Sequence, residues 1–84
     1  MSNQNLEELR SRVDRLNIQI LDLINERTSV IHEISKVKDK QGVKRYDPIR
    51  EREMLNFLKE YNEGPLPNGV LEEIFIVQIG RAHV

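Results

Sequence analysis

Apolar residues return along the first half of this chain in alternating steps of three and four: Leu6, Leu9, Val13, Leu16, Ile20, Leu23, then Val30, Ile34 and Val37. That is the period of one helical face, and no glycine or proline interrupts it between Leu6 and Lys38. The pattern predicts a single helix of about 33 residues, roughly 50 Å long at 1.5 Å per residue. Asn5 is its N-cap, and Glu7 and Glu8 complement the helix dipole in the first turn. Lys36, Lys38 and Lys40 gather near its end, where Gly42 supplies the stop. One step of the series is not apolar. The residue after Leu23 in the seam is Arg27.

The connector Gln41-Gly42-Val43-Lys44-Arg45-Tyr46 leads to Asp47-Pro48, an N-cap followed by proline at the first helical position. A second helix is expected over 48–62, with Met54, Leu55, Leu58 and Tyr61 on its apolar face and Phe57 at the margin. Glu51 precedes Met54 and Leu55 by three and four residues, which puts its carboxylate on the inward side. Asn62 to Gly69 holds two prolines and two glycines and reads as a loop. A third helix is expected over 69–78, with Val70, Leu71, Ile74 and Phe75 inward. The last six residues, Ile79-Gly80-Arg81-Ala82-His83-Val84, break the helical pattern and resemble the in-frame translation of a sequencing-library adapter. The expectation is a helical domain over 1–78, with helices at about 5–40, 48–62 and 69–78, a third helix cut short, and a non-native tail over 79–84.

A rod of this length cannot fold back on itself, and the remainder of the chain is too short to cover its seam. An amphipathic helix persists in water only when its apolar face is buried, so the stripe is expected to meet another copy in a homodimer. Eighty-four residues allow one domain. A charged content of 32% beside 38% hydrophobic is that of a globular chain, not a disordered one. Cysteine is absent, so there is no disulfide, thiolate nucleophile or thiolate metal site, which suits a reducing, cytoplasmic setting. No apolar run is long enough for a bilayer, and Met1-Ser2-Asn3-Gln4-Asn5 is not a signal peptide. The net charge of −1 offers no footprint for nucleic acid or a membrane surface.

Candidate chemistry is equally narrow. His32 and His83 are too few and too scattered for a metal site, so none is expected. No serine elbow or glycine-rich phosphate loop is present. The candidates left are a set of cations beside apolar stripes. Lys38 comes eleven residues after Arg27, about three turns, and lies beside the seam, as does Arg10 near the other end. Arg10 and Lys38 are about 42 Å apart along one helix, so a shared small ligand requires Arg10 from an antiparallel partner. Arg50 and Glu51 come directly after the Asp47-Pro48 cap, so these three can cluster. Taken singly, Arg10, Lys38 and Arg50 read first as snorkelling side chains, while Glu51 is as readily a surface partner of Arg52 or Lys44 as an inward carboxylate. Arg27 resists that reading, because an unpaired buried guanidinium costs several kcal/mol. The pattern supports a helical dimer with interior cations, suited to a small dianion.

Leu9-Arg10, Asn25-Glu26-Arg27, Lys36-Val37-Lys38 and Asp47-Pro48-Ile49-Arg50-Glu51-Arg52 together resemble the all-helical chorismate mutases. The likeness is strongest to the mutase domain at the N-terminus of some bacterial DAHP synthases, and it covers roughly Leu6 to Gly64. The resemblance implies an all-α, three-helix chorismate mutase fold with a long first helix, paired as an intertwined homodimer. It implies conversion of chorismate to prephenate in the shikimate pathway of aromatic amino-acid biosynthesis, with no cofactor and no metal, and a possible C-terminal DAHP synthase partner domain. Carried across, Arg10 reaches a substrate carboxylate from the partner subunit, Arg27 binds a carboxylate, and Lys38 meets the ether oxygen. Asp47 and Glu51 hold the ring hydroxyl, with Arg50 close by. The third helix departs from the family pattern of a small residue and, one turn later, a glutamine. Ala82 falls at the first position, the chain ends before the second, and Gln78 comes too early.

Three functions are open. The first is a mutase acting by conformational and electrostatic catalysis. The second is a chorismate- or prephenate-sensing regulatory domain of a DAHP synthase, which the missing glutamine favours. A plain helical dimerisation module accounts for the steps of three and four, but not for Arg27 within them or Glu51 on an apolar face.

Overall fold

The computed structural model describes residues 5–43 and 47–78. All described secondary structure is helical: α1 over Leu6–Gln41, α2 over Pro48–Tyr61 and α3 over Asn68–Glu73, continued by a π-helical segment over Ile74–Gln78. The chain divides into two units, residues 1–30 and 31–84, with the boundary inside α1.

In the first unit, α1 starts where a short polar side chain can take up its unpaired donors. The Glu8 N–H donates to Asn5 Oδ1 at 2.9 Å, and the Leu9 N–H donates to the Asn5 carbonyl at 3.3 Å. From Asn5 to Val30 every residue is exposed except Ile24 and Arg27, which are half-buried. The apolar stripe is bare: Leu16 is 52% exposed and Leu23 64%. Ile18 and Leu21, which lie off the seam, are equally open. Most helical stability in proteins comes from packing an amphipathic face, and this stretch has little of it within the single chain.

The second unit carries the intrachain packing. At its beginning Ile31, Ile34, Ser35 and Lys38 of α1 are half-buried, while His32 and Glu33 face solvent. α1 ends at Gly42, whose φ of 70° is the left-handed conformation that glycine adopts without a Cβ penalty. The Val43 N–H donates to the Lys38 carbonyl at 2.9 Å and the Gly42 N–H to the Asp39 carbonyl at 3.3 Å, the bond pair of a Schellman motif. α2 begins at the expected cap, with the Arg50 N–H donating to Asp47 Oδ1 at 3.1 Å and Pro48 in the first turn.

Leu55 of α2 and Leu71 of α3, each about 5% exposed, are the buried apolar residues among those described. Met54, Leu58, Ile74, Phe75 and Ile76 stand around them half-buried. Lys59 Nζ pairs with Glu72 Oε2 at 2.9 Å across the same helices. Truncating Leu55 to alanine should cost about 2–4 kcal/mol. A denaturant titration would measure this, and a loss below about 1 kcal/mol would deny the α2–α3 core its role.

Two inward assignments are corrected. Tyr61 is 76% exposed, and its ring stacks on that of Phe57, itself open, at 6.2 Å and 17° between planes. Val70 is exposed as well. Leu71, expected inward beside it, does take the core position, in an α3 that starts at Asn68. The π-helical widening after Glu73 was not visible in the residue pattern. The expected foreign tail at 79–84, with Ala82 and His83, lies outside the described residues.

Candidate active site

The first turn of α2 assembles three of the six expected residues. Asp47 has the extended backbone of an N-cap, with φ −127° and ψ 97°, and one carboxylate oxygen holds the Arg50 N–H. Its carbonyl accepts the Glu51 N–H at 3.0 Å. Asp47, Arg50 and Glu51 are therefore tied through backbone groups of one turn, with the Asp47 and Arg50 side chains exposed and Glu51 half-buried. Oε2 of Glu51 is shut off from solvent. The inward carboxylate read from its spacing to Met54 and Leu55 is thus found.

Glu51 lines a cleft of about 260 Å³ whose other walls are Pro48, Arg52, Leu55 and Asn56 of α2 and Glu72 of α3. Sequence reasoning did not reach this cleft. Arg52 and Asn56 are one turn apart, as are Glu51 and Leu55, so the α2 wall was legible as two parallel i,i+4 rows. Glu72 was not, since only the packing of α3 brings it there.

Lys38 belongs to the same unit. It is half-buried in the last turn of α1, just before the glycine stop, and its carbonyl is held by Val43. Arg27 and Arg10 belong to the first unit, where Arg27 is half-buried and Arg10 exposed. Among the described residues no group of three histidine, cysteine, aspartate or glutamate side chains is placed to hold a metal ion. No helix among them is long and apolar enough to cross a membrane. The turn offers a carboxylate, an inward carboxylate and a guanidinium within one helical cap: acceptors for hydroxyl groups beside a donor for an anion.

The family model for chorismate mutase type II matches residues 9–81. The chain belongs to that family. Solved chorismate mutases share its fold closely: form II of the Thermus thermophilus enzyme gives a TM-score of 0.85 at 37% identity, over 90% of this chain and 85% of that one. Form I gives 0.81 at 38% identity, over 84% and 89%. The bifunctional chorismate mutase/prephenate dehydratase of Stutzerimonas stutzeri is 39% identical over 75 residues, 83% of this chain and 20% of the relative. The chorismate mutase of Methanocaldococcus jannaschii is 35% identical over 49 residues, 58% of this chain and 50% of that protein. This chorismate mutase-family chain thus spans about one-fifth of the length of its bifunctional relatives. Those relatives join the mutase to prephenate dehydratase, not to the DAHP synthase expected from the motif likeness.

Proposed function

We propose that this chain is a chorismate mutase that rearranges chorismate to prephenate in aromatic amino-acid biosynthesis, working as a cytoplasmic homodimer without a cofactor. The observation that carries this reading is the family match, which runs from residue 9 to residue 81 and takes in all six candidate residues. The bare stripe of α1 supports the dimer, because a second copy is the economical cover for it. Arg10 of the partner subunit and Arg27 clamp the two carboxylates of the substrate. Asp47 and Glu51 hold the ring hydroxyl, and Arg50 stands beside them. Lys38 faces the ether oxygen.

The chemistry asks for these residue types. The rearrangement is intramolecular: a C–O bond breaks as a C–C bond forms, with no nucleophile and no proton transfer. A flexible dianion must first be held in a compact conformer, and planar guanidinium forks do this by pairing with carboxylates. Negative charge then grows on the ether oxygen, and a fixed ammonium group meets it.

A second reading rests on the bifunctional relatives, in which the mutase is one-fifth of a longer enzyme. In it the domain senses chorismate or prephenate on behalf of a joined enzyme of the same pathway. The relatives favour prephenate dehydratase over DAHP synthase for that place. Calorimetry with chorismate, then loss of chorismate absorbance with time, separates the readings. Binding with turnover supports the mutase, and binding without turnover supports the sensor. No binding leaves a helical dimerisation module.

Arg27→Leu sets stability against function. Replacing a guanidinium in an apolar seam with leucine should raise the melting temperature of the ligand-free protein. It should also weaken chorismate binding by roughly 1.5–3 kcal/mol, the worth of a charged hydrogen bond. A lowered melting temperature would place Arg27 outside the seam.

A further inference from the structure

The loop between α2 and α3 closes on a pair of asparagines that the mutase reaction does not use. Asn62 caps the end of α2, and its side chain spans the loop. The Gly64 N–H donates to its Oδ1 at 3.1 Å. A backbone N–H can only donate, so that atom is the oxygen, and the amide nitrogen must face the other way. There Nδ2 donates to the Leu66 carbonyl at 2.8 Å and to Asn68 Oδ1 at 3.0 Å. The orientation of Asn68 is set by that of Asn62: it presents its carbonyl oxygen to a donor held from two sides.

Asn68 immediately precedes Gly69. A Cβ at Gly69 would meet nothing within 4 Å, so the side of its Cα where a side chain would stand is open. Its N–H also comes before the bond from the Leu71 N–H to the Pro67 carbonyl at 3.0 Å, so no i→i−4 bond of α3 engages it. Asn68 itself is exposed to water. A side-chain carbonyl polarised by a fixed donor therefore belongs to the residue just before a backbone nitrogen that no i→i−4 bond of α3 engages.

We propose that Asn68 is a self-modification site, where the Gly69 nitrogen closes on the Asn68 side chain to a cyclic imide. The nitrogen adds to Cγ and a C–N bond forms. The negative charge that develops on Oδ1 is met by Asn62 Nδ2, as a donor meets any tetrahedral oxyanion. The proton from Gly69 passes to the departing amide nitrogen, which leaves as ammonia. Water then adds to one or other imide carbonyl and breaks its C–N bond, giving aspartate or isoaspartate at position 68. Aspartate keeps the acceptor for Asn62 and makes it a charged one. Isoaspartate inserts a methylene into the main chain at the first residue of α3.

The experiment incubates the folded chain in warm, mildly alkaline buffer and tracks position 68 by peptide mapping and by enzymatic methylation of isoaspartate. A synthetic peptide spanning Pro65 to Glu73, which lacks Asn62, is the reference. The folded chain should convert at least as fast as the peptide. Asn62→Asp keeps an acceptor for the Gly64 N–H but offers Asn68 no donor. It should slow conversion roughly three- to tenfold, the factor one neutral hydrogen bond supplies, with the helical signal unchanged. Conversion in the folded chain slower than in the peptide overturns the proposal, and that comparison needs no variant. So does an Asn62→Asp rate equal to or above that of the unaltered chain, the result expected if the pair merely stiffens the loop.

Discussion

Lys38→Ala should lose mutase turnover by about 10²–10³ or more while the protein keeps its helical content and its assembly state. Removing one fixed donor from a developing oxyanion typically costs about 2.7–4 kcal/mol of transition-state stabilisation. Lys38 is suited to that role by position. It sits half-buried in the last turn of α1 and adds nothing to the buried pair Leu55 and Leu71. Truncation therefore removes a charge and leaves that pair in place. Initial rates of chorismate loss, taken with circular dichroism and sedimentation, separate the two effects. Lys38→Arg is a useful companion, because a planar fork does not reproduce a compact ammonium, and it should recover only part of the rate. Wild-type turnover in Lys38→Ala would remove this residue from the chemistry and leave the electrostatic argument without its agent.

Leu23→Asp should prevent the homodimer from forming, and activity should go with it. Leu23 is 64% exposed in the single chain, so within one chain the substitution disturbs no packing and should cost little. The proposed dimer makes a different demand. Leu23 lies next to the midpoint of α1, which runs over Leu6–Gln41, and in an antiparallel pair a midpoint residue faces its own counterpart. Two carboxylates would then meet in a seam where each fully buried leucine contributes about 1.5–3 kcal/mol and each unpaired charge costs several. Sedimentation should report a monomer, with loss of helical signal from a first unit left without cover. If the protein is already monomeric, or Leu23→Asp stays dimeric and active, the seam is not where two copies meet.

How much of this was legible in the residues depends on the range of the interaction concerned. Local chemistry announced itself. Asn5, Asp47-Pro48 and Gly42 each act on backbone groups within a few positions, and all three do in the structure what their types suggest. Glu51 was readable because one helical face carries both the carboxylate and the leucine it accompanies. Tyr61 and Val70 were misplaced because periodicity gives the direction of a face only to within a residue, and of the neighbours Val70 and Leu71, both expected inward, only Leu71 is buried. The ion pair of Lys59 with Glu72, and the cleft that Glu72 helps close, join residues on different helices through a loop whose course no local rule supplies. The π-helical segment after Glu73 has no signature in a run of Ile, Phe, Ile and Val that serves an α-helix equally well. The same limit explains the six candidate cations and carboxylates. Residue spacing sets Arg27 and Glu51 apart from ordinary surface charges, and the common purpose proposed for all six rests on membership of the family whose model spans them.

The glycine that ends α1 bears on the residue four positions before it. Because Val43 takes the carbonyl of Lys38 itself, the lysine does not hang from a fraying end. Its stem rises from a rung locked at the moment the chain reverses, and the reversal depends on a residue with no side chain. A methyl group at position 42 would leave every charge in the proposed site unaltered and still unfasten the one that has to aim. If Lys38 is the ammonium group that meets the ether oxygen, its accuracy is set by a hydrogen atom four residues downstream.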